Sequence, residues 1–264
     1  MRICSYRRDD GSIRAGIVEG DTVRDAGTTP WAVAAGDVIG RVDEVALLAP
    51  IPTPGKVVCV GRNYAEHAAE TGSAVPTEPQ LFAKWANAVV GSGVDVELPS
   101  ITRALDYEAE LVAVIGRTAH RVSEHDALDY VLGYTCGNDI SARDLQFDDT
   151  QWTRGKALDT FAPMGPWIVT TDEIPDPQTL GIRCLVNGDV RQDDTTAHMV
   201  FSVARIIEFI TDAITLEPGD VIYTGTPPGV GHGCTPPAYL AAGDTVRVEI
   251  DRIGAIENQI VSRP

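Results

Sequence analysis

Glycine and proline divide this sequence into short apolar segments, and this division constrains the fold more than any other feature. The chain has 25 Gly and 17 Pro among 264 residues, somewhat above their average usage. The segments between them are rich in Val and Ile, which are typical of β-strands. The pattern predicts a β-rich α+β protein in which many strands and turns are joined by a few helices.

A proline-rich linker at Ala49–Gly55 separates two parts of the chain. Before it, three strand-like segments between Arg2 and Asp25 alternate with turn sequences. This alternation predicts a small N-terminal β domain over residues 1–49. The catalytic domain is expected over residues 50–264.

The composition excludes several classes of protein. The net charge of −17 repels phosphate backbones and anionic membranes, so we expect no nucleic-acid partner and no membrane partner. No apolar run reaches ten residues, which is too short for a transmembrane helix. The five cysteines lack the spacing of a disulfide framework or a zinc site, which favours buried thiols and a cytoplasmic protein; they are Cys4, Cys59, Cys136, Cys184 and Cys234.

Polar residues mark where helices are expected to begin. Asn63 precedes a helical segment at Tyr64–Glu70, and capping-box spacing follows Ser123 and Ser141. Ser202 precedes the clearest amphipathic helix. Its isoleucines lie on one stripe: Ile206, Ile207, Ile210 and Ile214.

Two carboxylates occupy alternate positions of one strand-like segment, Tyr107–Ile115. Glu108 and Glu110 therefore project from the same face of the strand. Adjacent carboxylates repel each other unless water or a cation separates them, and the hard cations Mg²⁺ and Mn²⁺ prefer oxygen ligands. The alternative is a solvated edge strand. Asp139, where a strand gives way to a helix, could supply a third ligand or simply start that helix.

His67 and Glu70 are three residues apart on an expected helix and would be neighbours there. A carboxylate beside an imidazole orients the ring and raises its basicity, which supports a general base; the alternative is an exposed pair. Lys156 is one of only three lysines, against 18 arginines. Its ammonium could stabilise a developing enolate, or it could pair with Asp159.

A loop rich in glycine and hydroxyl groups, Thr224–Gly231, follows a strand-like segment. Its peptide N–H groups and hydroxyls could hold a carboxylate, although a tight loop without a ligand explains this segment as well. The spacing of a phosphate-binding loop is absent.

Taken together, these segments resemble the fumarylacetoacetate hydrolase family. The matching stretches occur in the family's order along most of the chain after Pro54. The resemblance implies a mixed, β-rich fold of that family and a homodimer. The stretches are GRNYAEHAAE (61–70), DYEAELVAVIG (106–116), GYTCGNDISARDLQ (133–146), QWTRGKALDTFAPMGPW (151–167) and GDVIYTGTPPGVG (219–231).

The resemblance also implies roles for individual residues. It implies one divalent cation, Mg²⁺ or Mn²⁺, on Glu108, Glu110 and Asp139. It implies a water-activating dyad of His67 and Glu70 and an active-site lysine at Lys156. The residues expected at the substrate pocket are Lys84, Arg143, Gln146 and Thr226.

Two positions near the expected pocket depart from the family pattern. Trp85, Ala86 and Asn87 follow Lys84 where many relatives have Pro and then Ser or Thr. Ala157 follows the expected active-site lysine where many have Ser or Gly. These departures leave the chemistry intact and the identity of the substrate open.

The sequence thus predicts a metal-dependent hydrolase that cleaves a C–C bond of a 2,4-dioxo acid of acylpyruvate type and releases pyruvate. His67 would activate water, and the cation and Lys156 would stabilise the pyruvate enolate. The same enolate leaves when oxaloacetate loses CO₂ and forms in 2-oxo-acid tautomerisation, so oxaloacetate decarboxylase and 2-hydroxyhepta-2,4-diene-1,7-dioate isomerase are alternatives. A non-catalytic, metal-dependent dicarboxylate-binding protein is an alternative of another class, but it would need no water-activating dyad.

Overall fold

The computed structural model describes residues 1–263, which are rich in strands and contain few helices. The helices are α1 (Ala65–Glu70), α2 (Arg143–Phe147), α3 (Thr153–Lys156) and α4 (Val203–Ala213). The strands are β1 (Arg2–Arg7), β2 (Ile13–Glu19), β3 (Thr22–Gly27), β4 (Val38–Arg41), β5 (Leu47–Leu48), β6 (Val57–Gly61), β7 (Gln80–Lys84), β8 (Val89–Val90), β9 (Val96–Pro99), β10 (Leu105–Asp106), β11 (Ala109–Ile115), β12 (Val131–Asn138), β13 (Ser141–Ala142), β14 (Ala162–Thr170), β15 (Gly181–Val186), β16 (Asp189–Thr195), β17 (Val221–Tyr223), β18 (Thr245–Ile250) and β19 (Gly254–Arg263).

Most strands belong to one large mixed sheet. Its order is β4-β3-β2-β1-β14-β12-β11-β17-β6-β7, and β5 and β8 pair beside β1 and β14. β11 and β12 are antiparallel, whereas β17 and β6 are parallel. The central strand β11 is buried on both faces, which explains its continuous apolar sequence.

The N-terminal strands continue this sheet. β1 pairs antiparallel with β14, with Arg2 opposite Val169 and Ile3 opposite Ile168. The expected N-terminal β unit is therefore joined to the rest of the chain through backbone hydrogen bonds. Its boundary at residue 49 stays a prediction.

A second sheet covers part of the first. Its order is β16-β15-β18-β19-β9. β14 contacts β19, and β12 contacts β18, so the two sheets share one apolar core. A separate pair, β10 and β13, lies where the first sheet's central strands begin and end. This corner carries the polar side chains described below.

Two of the expected helix caps are wrong. Asn63 does not cap α1; its amide donates to the carbonyls of Phe201 and Thr224, at 3.0 and 2.7 Å. Ser141 lies in β13, and its hydroxyl donates to the carbonyl of Asp139 at 2.9 Å. Distant backbone groups bind the Asn63 amide, and pairing with β10 places Ser141 in a strand, neither of which local spacing reveals.

Ser123 also fails to begin an α-helix. Its hydroxyl donates to Asp126 at 2.8 Å, and a short 3₁₀-helix follows at Ala127–Tyr130. None of the helices in the described chain is long and apolar enough to cross a membrane. The five cysteines are free thiols, four buried and one, Cys234, half-buried, which confirms the expectation for them.

The expected helix after Ser202 is confirmed as α4. The Ser202 hydroxyl accepts a hydrogen bond from the N–H of Arg205 at 3.0 Å. Ile206, Ile207 and Ile210 are buried, whereas Ile214 lies at the end of the helix and is 40% exposed.

Replacing Ser202 with Ala should lower the free energy of unfolding by about 1 kcal/mol, because it leaves a helix N–H without its acceptor. Ser202→Gly should cost only about a few tenths of a kcal/mol. Urea unfolding of both variants measures the difference. The hydroxyl also donates to Glu124 at 3.1 Å, so Glu124→Gln is the control. If Glu124→Gln lowered the free energy of unfolding as much as Ser202→Ala does, the capping role of Ser202 would be contradicted.

Candidate active site

Strand pairing brings three carboxylates together. β11 and β12 pair with Ala109 opposite Asn138, so the residues just outside this pair, Glu108 and Asp139, are adjacent. The N–H of Asp139 donates to the carbonyl of Glu108 at 2.9 Å. One oxygen from each of Glu108, Glu110 and Asp139 lies within 4.8 Å of the others.

The local backbone differs from the expected strand. β11 begins only at Ala109, so Glu108 lies in the break after β10, where its N–H donates to Asn138 Oδ1 at 3.0 Å. Both glutamates are nevertheless buried, at 4% and 1% exposure for Glu108 and Glu110. The alternative of a solvated edge strand is therefore wrong.

Buried cations surround the carboxylates. Lys156 Nζ lies 2.7 Å from Glu108 Oε2 and 2.8 Å from Asp139 Oδ2. Lys84 Nζ lies 2.6 Å from Asp139 Oδ1, and Arg143 Nη1 lies 2.7 Å from Glu108 Oε1. Each cation therefore offsets the cost of burying an acidic group.

The pairing of Lys156 with Asp159 that the sequence left open is not formed. The Asp159 carboxylate instead accepts a hydrogen bond from the Asn87 amide at 2.6 Å. Lys156 is 2% exposed and contacts the carboxylate cluster. Burial would lower its pKa, but Asp139 and Glu108 outweigh burial and raise the pKa above its usual value.

The acidic residues have different electrostatic environments. Burial alone would raise the pKa of Glu108, but Lys156 and Arg143 outweigh burial and hold the pKa below its usual range. Burial, then Asp139 and Glu108, raise the pKa of Glu110 well above its usual range. Its Oε2 accepts a hydrogen bond from the N–H of Gly225 at 2.7 Å. A divalent cation among these oxygens would relieve the repulsion, so the residues fit such an ion.

The expected pair on α1 is formed, with His67 buried and Glu70 half-buried. His67 Nδ1 lies 2.8 Å from Glu70 Oε1, and the His67 side chain is 8% exposed. The N–H of Gly229 contacts both Glu70 oxygens, at 3.1 and 2.9 Å, and fixes the carboxylate. The alternative of an exposed pair is wrong. Because Nδ1 contacts Glu70, Nε2 is the nitrogen that remains for a ligand.

One small cavity, of about 60 Å³, joins the carboxylates and the dyad. Its wall contains seven of the ten residues singled out from the sequence: His67, Glu108, Glu110, Arg143, Gln146, Lys156 and Thr226. Glu70 and Asp139 contact members of this wall. The polar groups that converge on this wall suit a small polar substrate.

Lys84, like Glu70 and Asp139, does not belong to the cavity wall. Its ammonium donates to the carbonyls of Ile140 and Phe161 and contacts Asp139, and the side chain is fully buried. The substrate-binding role expected for Lys84 stays a prediction. Lys84 pairs with Asp139 from outside the cavity wall. This placement depends on β7 lying beside the carboxylate cluster, which local sequence does not show.

The aromatic and cationic side of the cavity, formed by Arg62, Trp152 and Phe82, was not predicted from the sequence. The guanidinium of Arg62 lies 5.3 Å from the centre of the Trp152 ring, and both residues line the cavity with Phe82. Arg62 has a left-handed backbone, with φ of 58°. That conformation is uncommon for residues other than glycine and often accompanies functional sites. The only available signal was its place in the GRNY stretch.

The two departures from the family pattern lie outside the cavity wall. Trp85 is 60% exposed, and Asn87 contacts Asp159 as described above. Ala157 is buried but does not line the cavity. These substitutions therefore give no direct contact through which they would select a substrate.

Comparison with known proteins shows the family to which the chain belongs. The family described as "Fumarylacetoacetate (FAA) hydrolase C-terminal" matches residues 56–261, and one described as "Rv2993c-like, N-terminal" matches residues 1–50. The chain belongs to the fumarylacetoacetate hydrolase family, which is a family of enzymes. Members of this family commonly use a divalent metal ion.

Individual relatives carry names of two related activities. The chain is 48% identical over 219 residues to the mitochondrial oxaloacetate tautomerase fahd2 of Xenopus laevis, covering 82% of this chain and 69% of that protein. It is 44% identical to the oxaloacetate tautomerase YisK of Bacillus subtilis, and the match covers 95% of this chain and 86% of that protein. A solved structure named 2-hydroxyhepta-2,4-diene-1,7-dioate isomerase, from Mycobacterium marinum, is 40% identical to this chain, with a TM-score of 0.86. The match covers 100% of this chain and 99% of that one.

Proposed function

We propose that this protein is a metal-dependent enzyme that interconverts the keto and enol forms of oxaloacetate. The observation that carries the proposal is a cavity lined by Glu108, Glu110, His67 and Lys156, with the buried Asp139 in contact with Lys156. The oxaloacetate tautomerase relatives support it. The alternatives from the sequence were oxaloacetate decarboxylase and 2-hydroxyhepta-2,4-diene-1,7-dioate isomerase. Tautomerisation of oxaloacetate forms the same enolate, and we place it ahead of acylpyruvate hydrolysis.

The reaction moves one proton from C3 of oxaloacetate to the C2 oxygen and changes no other bond to hydrogen. A Mg²⁺ or Mn²⁺ held by Glu108, Glu110 and Asp139 would supply the Lewis acidity that makes the C3 proton removable. His67 carries the proton, because Glu70 orients its ring and leaves Nε2 available. Lys156 adds positive charge near the developing enolate oxygen.

Arg62 supports a substrate with a second carboxylate. Lys156 and Arg143 each contact acidic side chains, whereas Arg62 forms no ion pair with any acidic residue of the described chain, residues 1–263. A guanidinium binds a carboxylate through two parallel hydrogen bonds. An unpaired guanidinium on the cavity wall therefore favours a 2-oxo dicarboxylic acid such as oxaloacetate over a monocarboxylic one.

Replacing Arg62 with Asn should raise KM for oxaloacetate by roughly 10- to 100-fold, the value of a hydrogen bond to a charged group. Asn tolerates the left-handed backbone at this position. KM for the monocarboxylic acid acetylpyruvate should change much less. Steady-state kinetics on both substrates measures the contrast. Arg154→Asn, an exposed position outside the cavity wall, controls for the change in net charge. Equal increases in KM for both substrates would refute the role of Arg62.

Hydrolysis of an acylpyruvate is the second candidate function. The His67–Glu70 dyad favours it, because such a dyad also suits the activation of water. Decarboxylation of oxaloacetate would use the same carboxylates and lysine without an attacking water.

A substrate panel tests these functions. Enol-oxaloacetate is followed by its ultraviolet absorbance, and pyruvate release from oxaloacetate and from acetylpyruvate is followed by a coupled assay. Each reaction is run after exhaustive EDTA dialysis and again with Mg²⁺ or Mn²⁺ restored. We expect fast, metal-dependent loss of the enol signal. No acceleration over the same concentration of free metal would overturn the tautomerase proposal.

The assembly and location remain predictions from the sequence analysis. The resemblance implies a homodimer, which sedimentation of the purified protein tests. The cytoplasmic location rests on composition and on cysteine usage.

A further inference from the structure

The hydroxyl of Thr226 has an unused hydrogen at the cavity. Thr226 follows β17, is 3% exposed and lines the cavity wall. Its Oγ1 accepts a hydrogen bond from Gln192 Nε2 at 2.8 Å. Within residues 1–263, no protein group accepts the hydrogen of this hydroxyl. A buried hydroxyl whose oxygen is engaged and whose hydrogen is free is a ready donor to a ligand.

Gln192 reaches Thr226 from the other sheet. It lies on β16, is 1% exposed, and uses every polar atom of its amide. Oε1 accepts from the N–H of Ala109 at 2.9 Å, and Nε2 also donates to the carbonyl of Pro227 at 2.7 Å. A flipped amide would face its oxygen to the Pro227 carbonyl and its nitrogen to a backbone N–H. The contacts therefore determine which end donates to Thr226.

We propose that Gln192 is a positioning residue that turns the Thr226 O–H into the cavity, where it donates to a carboxylate oxygen of the substrate. Because the Gln192 amide donates to Oγ1, the hydroxyl cannot donate back to Gln192. The Pro227 carbonyl is already an acceptor for the same amide. The inference rests on the proposed function, in that it requires a 2-oxo acid as ligand.

The same glutamine contacts the start of β11. Gln192 Oε1 accepts a hydrogen bond from the N–H of Ala109, which lies between Glu108 and Glu110. Gln192 therefore ties the carboxylate cluster to the Thr226 loop, and its removal could act through either one. A double-mutant cycle separates these two routes.

The experiment measures binding of pyruvate to the Mn²⁺-loaded protein by calorimetry, together with kcat and KM for oxaloacetate. The variants are Gln192→Met, Thr226→Val and the double variant. Each single variant should weaken pyruvate binding by roughly 10- to 100-fold and raise KM more than it lowers kcat. When Thr226 is already replaced with Val, Gln192→Met should cause little further loss of pyruvate affinity. Thr226→Ser, which keeps the hydroxyl, should retain binding.

Gln178→Met is the matched control. Gln178 also bridges backbone groups, donating to Thr196 at 2.8 Å and accepting from Val203 at 2.9 Å, but it lies outside the cavity wall. This variant should bind pyruvate as the wild type does. If Gln192→Met does not fold, Gln192→Asn takes its place, because its shorter amide cannot keep all three contacts.

The outcomes distinguish the inference from the proposed function. If Gln192→Met weakens binding equally with and without the Thr226 hydroxyl, Gln192 acts only on the structure and the inference is wrong. The inference is also wrong if Thr226→Val binds pyruvate like the wild type. If the wild type neither binds pyruvate nor converts oxaloacetate, the proposed function itself fails, and the inference fails with it.

Discussion

Replacing Glu108 with Ala should abolish tight binding of a divalent cation and lower the rates of oxaloacetate tautomerisation, oxaloacetate decarboxylation and acetylpyruvate hydrolysis together. Glu108 belongs to the only cluster of potential metal ligands found in the described residues. All three reactions pass through an enolate at the same carboxylates. A metal ion contributes several kcal/mol to such chemistry, so we expect losses of roughly 10³-fold or more. Titration with Mn²⁺, followed by its paramagnetic signal, measures cation binding directly.

The control for this prediction is Asp106→Asn. Both Glu108 and Asp106 pair with the buried Arg143, the second at 2.8 Å, but Asp106 is not among the three clustered carboxylates. Asp106→Asn therefore reports the cost of leaving Arg143 partly unpaired. It should keep Mn²⁺ binding, whereas Glu108→Ala should lose it. Unchanged Mn²⁺ affinity in Glu108→Ala would show that this cluster is not the metal site.

Replacing His67 with Ala should separate the reactions. Hydrolysis of acetylpyruvate needs an attacking water, and tautomerisation needs a proton carrier, so both should fall by roughly 10²- to 10⁴-fold. Decarboxylation of oxaloacetate needs only an electron sink, so its rate should fall much less. The carboxylates and Lys156 lie on other elements and stay in place. All three rates are measured on the same purified variant, with folding checked by circular dichroism.

His198→Ala is the matched control for this variant. His198 also pairs with a carboxylate, Asp194, at 2.6 Å, but its side chain is 68% exposed and lies outside the cavity wall. It should leave every rate unchanged. Decarboxylation losses in His67→Ala as large as the hydrolysis losses would contradict this separation, because decarboxylation needs neither an attacking water nor a carrier for the C3 proton.

Some of the site could be predicted because it depends on local geometry. The spacing of His67 and Glu70 places them on one face of any helix, and α1 brings them to 2.8 Å. Burial of Ile206, Ile207 and Ile210 follows from helical periodicity in the same way. These relationships span a few residues and need no knowledge of the rest of the chain.

The failures involve pairing and contacts between segments far apart in the chain: β10 holds Ser141 in a strand, and distant carbonyls bind Asn63. The sequence analysis placed Asn63 and Ser141 as helix caps because their types and spacing suit that role. In the structure their polar atoms serve other backbone groups, 138 and 161 residues away in the case of Asn63. The ion pair of Lys84 with Asp139 likewise joins segments far apart in the chain, and the sequence did not predict it.

The sequence by itself determined the family, the strand-rich composition of the fold and the chemical types at the site, because these depend on motifs and on short-range periodicity. The tertiary structure alone decided the partners of the buried charges. It placed Lys156 between Glu108 and Asp139, left Arg62 without an acidic partner among residues 1–263, and brought Gln192 from a second sheet to Thr226. The physical reason is that a buried polar group takes whichever partner the strand pairing brings within about 3 Å, and that pairing joins segments far apart in the chain.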